Sequence, residues 1–284
     1  MFSVGRVVIT AICLLAVTAA PASATYYPSG PQTNVDSSQL QGWQPCFSGL
    51  YGDSATLSDV QSQCHDGLLL LAGGPTGSST LTVLAAAPRA DVLFNTGTSN
   101  TPHDANGSGW YFNDGLSWGF AKQGDPIDRD ECDVAASDIE PGPNPDLRLC
   151  WHTGSGNLNP GWRVGAVTEL NDSTDYTRYI YQATCDASVA LGKVRRNRGK
   201  GTAKLPVTVT SPGTLVASGK GLKLIQLAAT QGGTVNLPVK PKGAKRRALN
   251  AKGKAKVREK VSFTASCGTS GESAGKIKLR KRLG

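Results

Sequence analysis

Charge and aromatic rings separate near residue 186, and this split favours two halves built separately over one mixed core. Residues 25–186 carry 6 Lys/Arg against 19 Asp/Glu, whereas residues 187–284 carry 23 against 2. All five Trp and all seven Tyr lie in the first segment, and the second holds a single aromatic residue, Phe263. Two domains in 284 residues fit the usual domain size. With 39% hydrophobic and 18% charged residues the chain is too apolar to be disordered. Its abundant Gly, Thr and Ser favour strands and turns over long helices.

The start of the chain reads as an export signal. Val7–Ala20 is apolar but too short to cross a hydrocarbon core of ~30 Å. It runs into Ala22-Ser23-Ala24, the small-x-small pattern cleaved by signal peptidases. Residues 1–24 are therefore expected to be a signal peptide, the rival being an uncleaved membrane anchor. No later segment is long and apolar enough to span a membrane, so a secreted or envelope-associated protein is expected. The six cysteines left after cleavage are an even set, as disulfides in an exported chain require. Six cysteines allow 15 connectivities. The equal separations of 18 in Cys46/Cys64 and Cys132/Cys150 favour two local loops. Cys185 and Cys267 remain as a pair.

Residues 25–186 read as a β-sandwich of jelly-roll or lectin-like type. Candidate strands are Leu68–Leu71, Thr80–Ala86, Asp91–Asn95, Gly109–Asn113, Leu116–Ala121, Leu147–His152, Trp162–Leu170 and Tyr176–Ala183, separated by Gly, Pro, Asn or Asp. Asn113-Asp114-Gly115 is a hairpin signal, and only Ala55–Cys64 is spaced for a helix. Residues 187–284 read as a second, immunoglobulin-like sandwich. Its strands are expected at Ser188–Val194, Thr202–Thr210, Thr214–Ser218, Leu222–Thr230, Thr234–Lys240, Ala255–Ser266 and Gly275–Lys281. Lys240–Lys256 is expected as a basic connection between sheets. In such a sandwich Cys185 and Cys267 fall at one pole, which suits a bridge between them.

Val189-Ala190-Leu191-Gly192-Lys193-Val194, Gly213-Thr214-Leu215 and Lys240-Pro241-Lys242-Gly243-Ala244-Lys245 resemble a lysine-rich immunoglobulin-like module. Modules of this kind end many exported proteins of soil actinobacteria. Gly109-Trp110-Tyr111-Phe112-Asn113, Ser117-Trp118-Gly119-Phe120 and Leu149-Cys150-Trp151-His152-Thr153 are similar to an exported domain that accompanies them. The resemblance implies fold and export, and supplies no catalytic residues.

Individual motifs divide between chemistry and plain structure. Gly115-Leu116-Ser117-Trp118-Gly119 matches the nucleophile-elbow pattern, with Asp128 or Asp146 and His152 following in order, but the strand-turn-helix surroundings are missing. Asp125, Asp128, Asp130 and Asp133, with Glu131 among them, offer oxygen ligands for Ca²⁺, or form a solvated acidic loop beside Cys132. Scattered histidines and the absence of Cys-x-x-Cys argue against zinc. Trp43 and Trp110, near loop glycines, and Asn113 and Asp114 are candidates for ligand contact, since indole rings stack on sugars.

A non-enzymatic, exported binding or adhesion protein is the expected function, with no cofactor unless Ca²⁺. The acidic half would recognise a ligand such as a glycan, and the basic half would space it or hold it to anionic envelope polymers. An extracellular hydrolase and a purely structural surface protein are the alternatives. With so few rings in the basic half, specific nucleic-acid binding is not expected.

Overall fold

A computed structural model describes residues 26–129, 132 and 142–283. The expected signal peptide, and Asp130 and Asp133 of the calcium proposal, lie outside the described residues.

The protein is all-β, in four antiparallel sheets that never mix strands from the two halves. The acidic half contains β1 (Gln32–Asp36), β2 (Gln44–Leu50), β3 (Ala55–Thr56), α1 (Leu57–Gln63), β4 (Leu68–Pro75), β5 (Thr80–Pro88) and α2 (Arg89–Val92). These are followed by β6 (His103–Ala105), β7 (Ser108–Phe112), β8 (Ser117–Lys122), β9 (Leu149–Gly154), β10 (Asn157–Val164) and β11 (Tyr176–Ala183). One sheet runs β1-β5-β4-β11-β2 and the other β3-β10-β9-β8-β7-β6.

The leucine run of β4 explains the layering. Leu69 and Leu71 face the second sheet, where they join Trp110, Trp118, Phe120 and Trp151 in one core. Leu68 and Leu70 face the other way, into a cluster closed by Leu40, Trp43, Tyr26 and Tyr27. All four leucines are fully buried, each contributing roughly 2 kcal/mol. Four arginines, Arg129, Arg148, Arg163 and Arg178, are also buried in this half.

The basic half contains β12 (Val189–Leu191), β13 (Arg195–Asn197), β14 (Thr202–Val209), β15 (Gly213–Ser218), β16 (Ile225–Ala229), β17 (Gly233–Val239), α3 (Gly243–Lys252), β18 (Lys254–Ala265) and β19 (Ser270–Arg280). One of its sheets has β14 between β17 and the pair β12 and β13, and the other runs β16-β15-β18-β19. Both contribute to a single core that includes Leu205, Val207, Leu237, Val261 and Phe263.

Three expectations change. Asp91–Asn95 is not a strand: Pro88 ends β5, α2 follows, and the Arg89 side chain donates to the carbonyls of Cys64 and Gln61. The strand placed at Trp162–Leu170 starts at Asn157 and ends at Val164, with Pro160 inside the first of two register shifts. Proline cannot donate to a ladder, and a bulge accommodates it. Lys240–Lys256 holds the helix α3, stopped by Gly253 in the left-handed region at φ 62°.

All three disulfides are present. Cys46–Cys64 ties β2 to the end of α1, Cys132–Cys150 anchors the acidic loop to β9, and Cys185–Cys267 joins the halves with Cα atoms 6.2 Å apart. Cys185 and Cys267 pack against both the outer cluster of the acidic half and the core of the basic half. Three such bonds fit an oxidising environment.

Candidate functional site

The long hairpin β18–β19 sorts its residues by face. Ala255, Val257, Val261, Ile277 and Leu279 point into the core, while Lys254, Lys256, Arg258, Lys276, Lys278 and Arg280 are exposed. Register sets like charge against like charge: Lys254 lies opposite Arg280, Lys256 opposite Lys278, and Arg258 opposite Lys276. Cβ atoms of directly opposed residues lie about 5 Å apart, where like charges destabilise a sheet.

Neighbouring elements add to this ladder. Gly219 lets the β15–β16 turn come close, since a Cβ there would stand 2.2 Å from the Arg258 carbonyl oxygen. Lys220 from that turn and Lys245 from α3 complete a cleft of about 550 Å³ with Lys256, Arg258, Lys276 and Lys278. A smaller cleft of about 280 Å³ also borders α3, lined in part by Lys200, Lys240, Arg246 and Lys281. Arg196 donates from Nε to the Lys278 carbonyl at 2.7 Å, covering part of the β19 edge.

Little opposes this charge. Among the described residues of the basic half the one ion pair is Lys260–Glu272, at 2.6 Å, and no ion pair joins the two halves. The second acid, Glu259, faces inward, 2% exposed, with Oε2 lacking a hydrogen-bond partner. Burial pushes its carboxyl up to about 7. Phe263 is fully buried, which leaves no ring in this half for base stacking. The arrangement can hold a run of negative charges by Coulomb attraction and lysine hydrogen bonds.

Residues singled out in the acidic half fall elsewhere. Trp110 is fully buried, its Nε1 donating to the Ala105 carbonyl at 3.1 Å. Trp43 is 6% exposed, stacks on Tyr27 and donates to the Tyr26 carbonyl. Neither ring offers a free face. Asn113 shapes its turn by accepting from the Gly115 N–H at 2.8 Å, and Asp114 is exposed at the tip.

Asp125 lies 3.6 Å from the buried Arg148 guanidinium and accepts from Asn144 Nδ2, the surroundings of a paired carboxylate. Among the described residues no group of three His, Cys, Asp or Glu side chains could hold a metal ion. Ser117 and His152 are cross-strand neighbours. However, Ser117 Oγ is buried and accepts from Arg129 Nε at 3.0 Å, and the motif around it is a hairpin. Burial lowers the His152 pKa. Asp146 is exposed in a turn.

The cationic clefts were only half legible in the sequence. Alternation in 276–280 showed which residues face water, but the opposition of cations depends on register across a turn. Comparison of the chain with protein-family models, with curated proteins and with solved structures finds no match.

Proposed function

We propose that this is an exported, non-enzymatic binding protein whose basic half holds it to linear polyanions of the cell envelope. The carrying observation is the opposed-cation ladder of β18–β19. A soluble surface needs only mixed charges, and Lys260–Glu272 shows that this hairpin accommodates an acid. Three unneutralised cation pairs cost stability, a cost that an anionic ligand would reverse. The predominance of lysine suits phosphate or sulfate groups along a flexible chain, where point charges serve better than a bidentate fork. Three disulfides and the signal-like residues 1–24 support export. The two facing sheets of each half support reading them as sandwiches, lectin-like and then immunoglobulin-like, as in the actinobacterial proteins resembled.

The test is binding of the full chain to long-chain polyphosphate and to lipoteichoic acid across a salt series. Affinity should fall at least tenfold between 50 and 200 mM salt. Tripolyphosphate, which offers far fewer charges to the ladder and clefts, should bind at least tenfold more weakly than the long chain. The double variant Arg258→Glu with Lys278→Glu places an acid opposite Lys276 and opposite Lys256. It should lose polyanion binding while unfolding at an equal or higher temperature. Affinity independent of salt, or no binding at 50 mM, would overturn the proposal.

A further inference from the structure

The acidic half presents one large aromatic ring to solvent among its described residues. Phe94 is 49% exposed, in the connection that follows α2. A lone exposed ring means little by itself, but this one is held in place. The His103 imidazole stacks on one face, with centroids 4.2 Å apart and planes 15° from parallel. His103 is fixed in turn: its Nε2 lies 2.8 Å from Asp91 Oδ1, and the carboxylate accepts the proton.

The adjoining backbone is fixed as well. Asn95 forms a parallel bridge with Phe112, and Thr96 N–H donates to the Phe112 carbonyl at 3.0 Å. Asn95 Oδ1 accepts from Gly97 N–H and from Asn113 Nδ2, which draws the β7–β8 turn alongside. Asn95 and Asp114 are exposed near the ring's loop.

We infer that Phe94 is the platform of a carbohydrate subsite, with a pyranose stacking its C–H face on the ring and its hydroxyls meeting Asn95, Asn113 and Asp114. A ring immobilised before binding loses little entropy on contact, and the amide and carboxylate groups of its own loop and the adjoining β7–β8 turn suit hydroxyl donors and acceptors. His103 and Asp91 act as positioning residues. The subsite uses no residue of the cationic clefts and stands whether or not the polyanion reading does.

The experiment uses the full chain at 300 mM salt, with chitotriose, cellotriose and maltotriose as probes. Saturation-transfer NMR and calorimetry are the readouts. At least one sugar should bind, with saturation strongest on the C–H protons of one ring face. Phe94→Ala should weaken binding at least tenfold while leaving the thermal midpoint nearly unchanged, because the ring is half exposed. Phe94→Trp should retain binding, and Arg258→Glu with Lys278→Glu should not alter it. Binding that survives Phe94→Ala, failure of all three sugars, or capture of tetramethylammonium in their place would overturn the assignment.

Discussion

Arg178→Met should lower the stability of the acidic half by about 4 kcal/mol, a large share of the stability of a typical domain. The fully buried Arg178 guanidinium donates to three backbone carbonyls, from Nε to Leu50 at 3.1 Å, from Nη1 to Asn159 at 2.5 Å and from Nη2 to Asp53 at 2.6 Å. Those carbonyls belong to the end of β2, to the loop after it and to the bulge of β10, so one side chain fastens both sheets. Its carbon lies 5.9 Å from the ring centroids of Phe47 and Trp151. Burial lowers its pKa to about 10, and it remains cationic at neutral pH.

Methionine fills similar space but leaves three acceptors without a donor, each costing about 1–3 kcal/mol where buried. Lysine should recover less than half of the loss, since one ammonium cannot reach three diverging carbonyls. Urea unfolding followed by tryptophan emission reads this half alone, because every Trp lies in it. A loss below 1 kcal/mol for Arg178→Met would show that water satisfies the carbonyls.

Glu259→Leu should have the opposite effect on the basic half, stabilising it by about 2–3 kcal/mol at pH 8 and hardly at all at pH 4. The carboxyl sits inward on β18 and is raised from 4.5 to about 7 by burial. The folded state therefore holds its proton more tightly than the unfolded chain. Stability is fully present below pH 4.5 and is lost as pH rises through 7. Glu259→Gln should flatten the same pH profile. Calorimetric unfolding of the three proteins between pH 4 and 8 checks both claims, and parallel profiles for wild type and Glu259→Leu would refute them.

Part of this architecture could be read from the residues. The Leu68–Leu71 run and the Asn113-Asp114-Gly115 turn carry local signals that the tertiary structure leaves intact, and the range Tyr176–Ala183 matches β11 at both ends. Equal cysteine spacing indicated two of the bridges. The reading failed where a short apolar pattern was ambiguous. Val92-Leu93-Phe94 looks like a strand, yet Val92 is buried from a helical turn and Phe94 points to solvent. Helix α3 was obscured because it buries only Leu249, leaving no apolar stripe to count. The favoured tryptophans were chosen for their loop neighbours, but an adjacent glycine says nothing about which way a ring turns. Four buried arginines were equally invisible, since a carbonyl partner leaves no mark in the sequence.

The bridge between Cys185 and Cys267 also governs how the protein bears load. Its ends are separated by 82 residues, so nearly the whole basic half lies inside a covalent loop. If a polymer gripped Lys276 and Lys278 of β19 and the acidic half were pulled away, tension would pass from Cys185 through sulfur to Cys267 and on into β19. The strands between those residues would not be drawn out in line. Roughly 290 Å of extensible chain is thus withheld. A tether held through β19, the one strand of that half beyond the loop, would yield first by peeling it from β18.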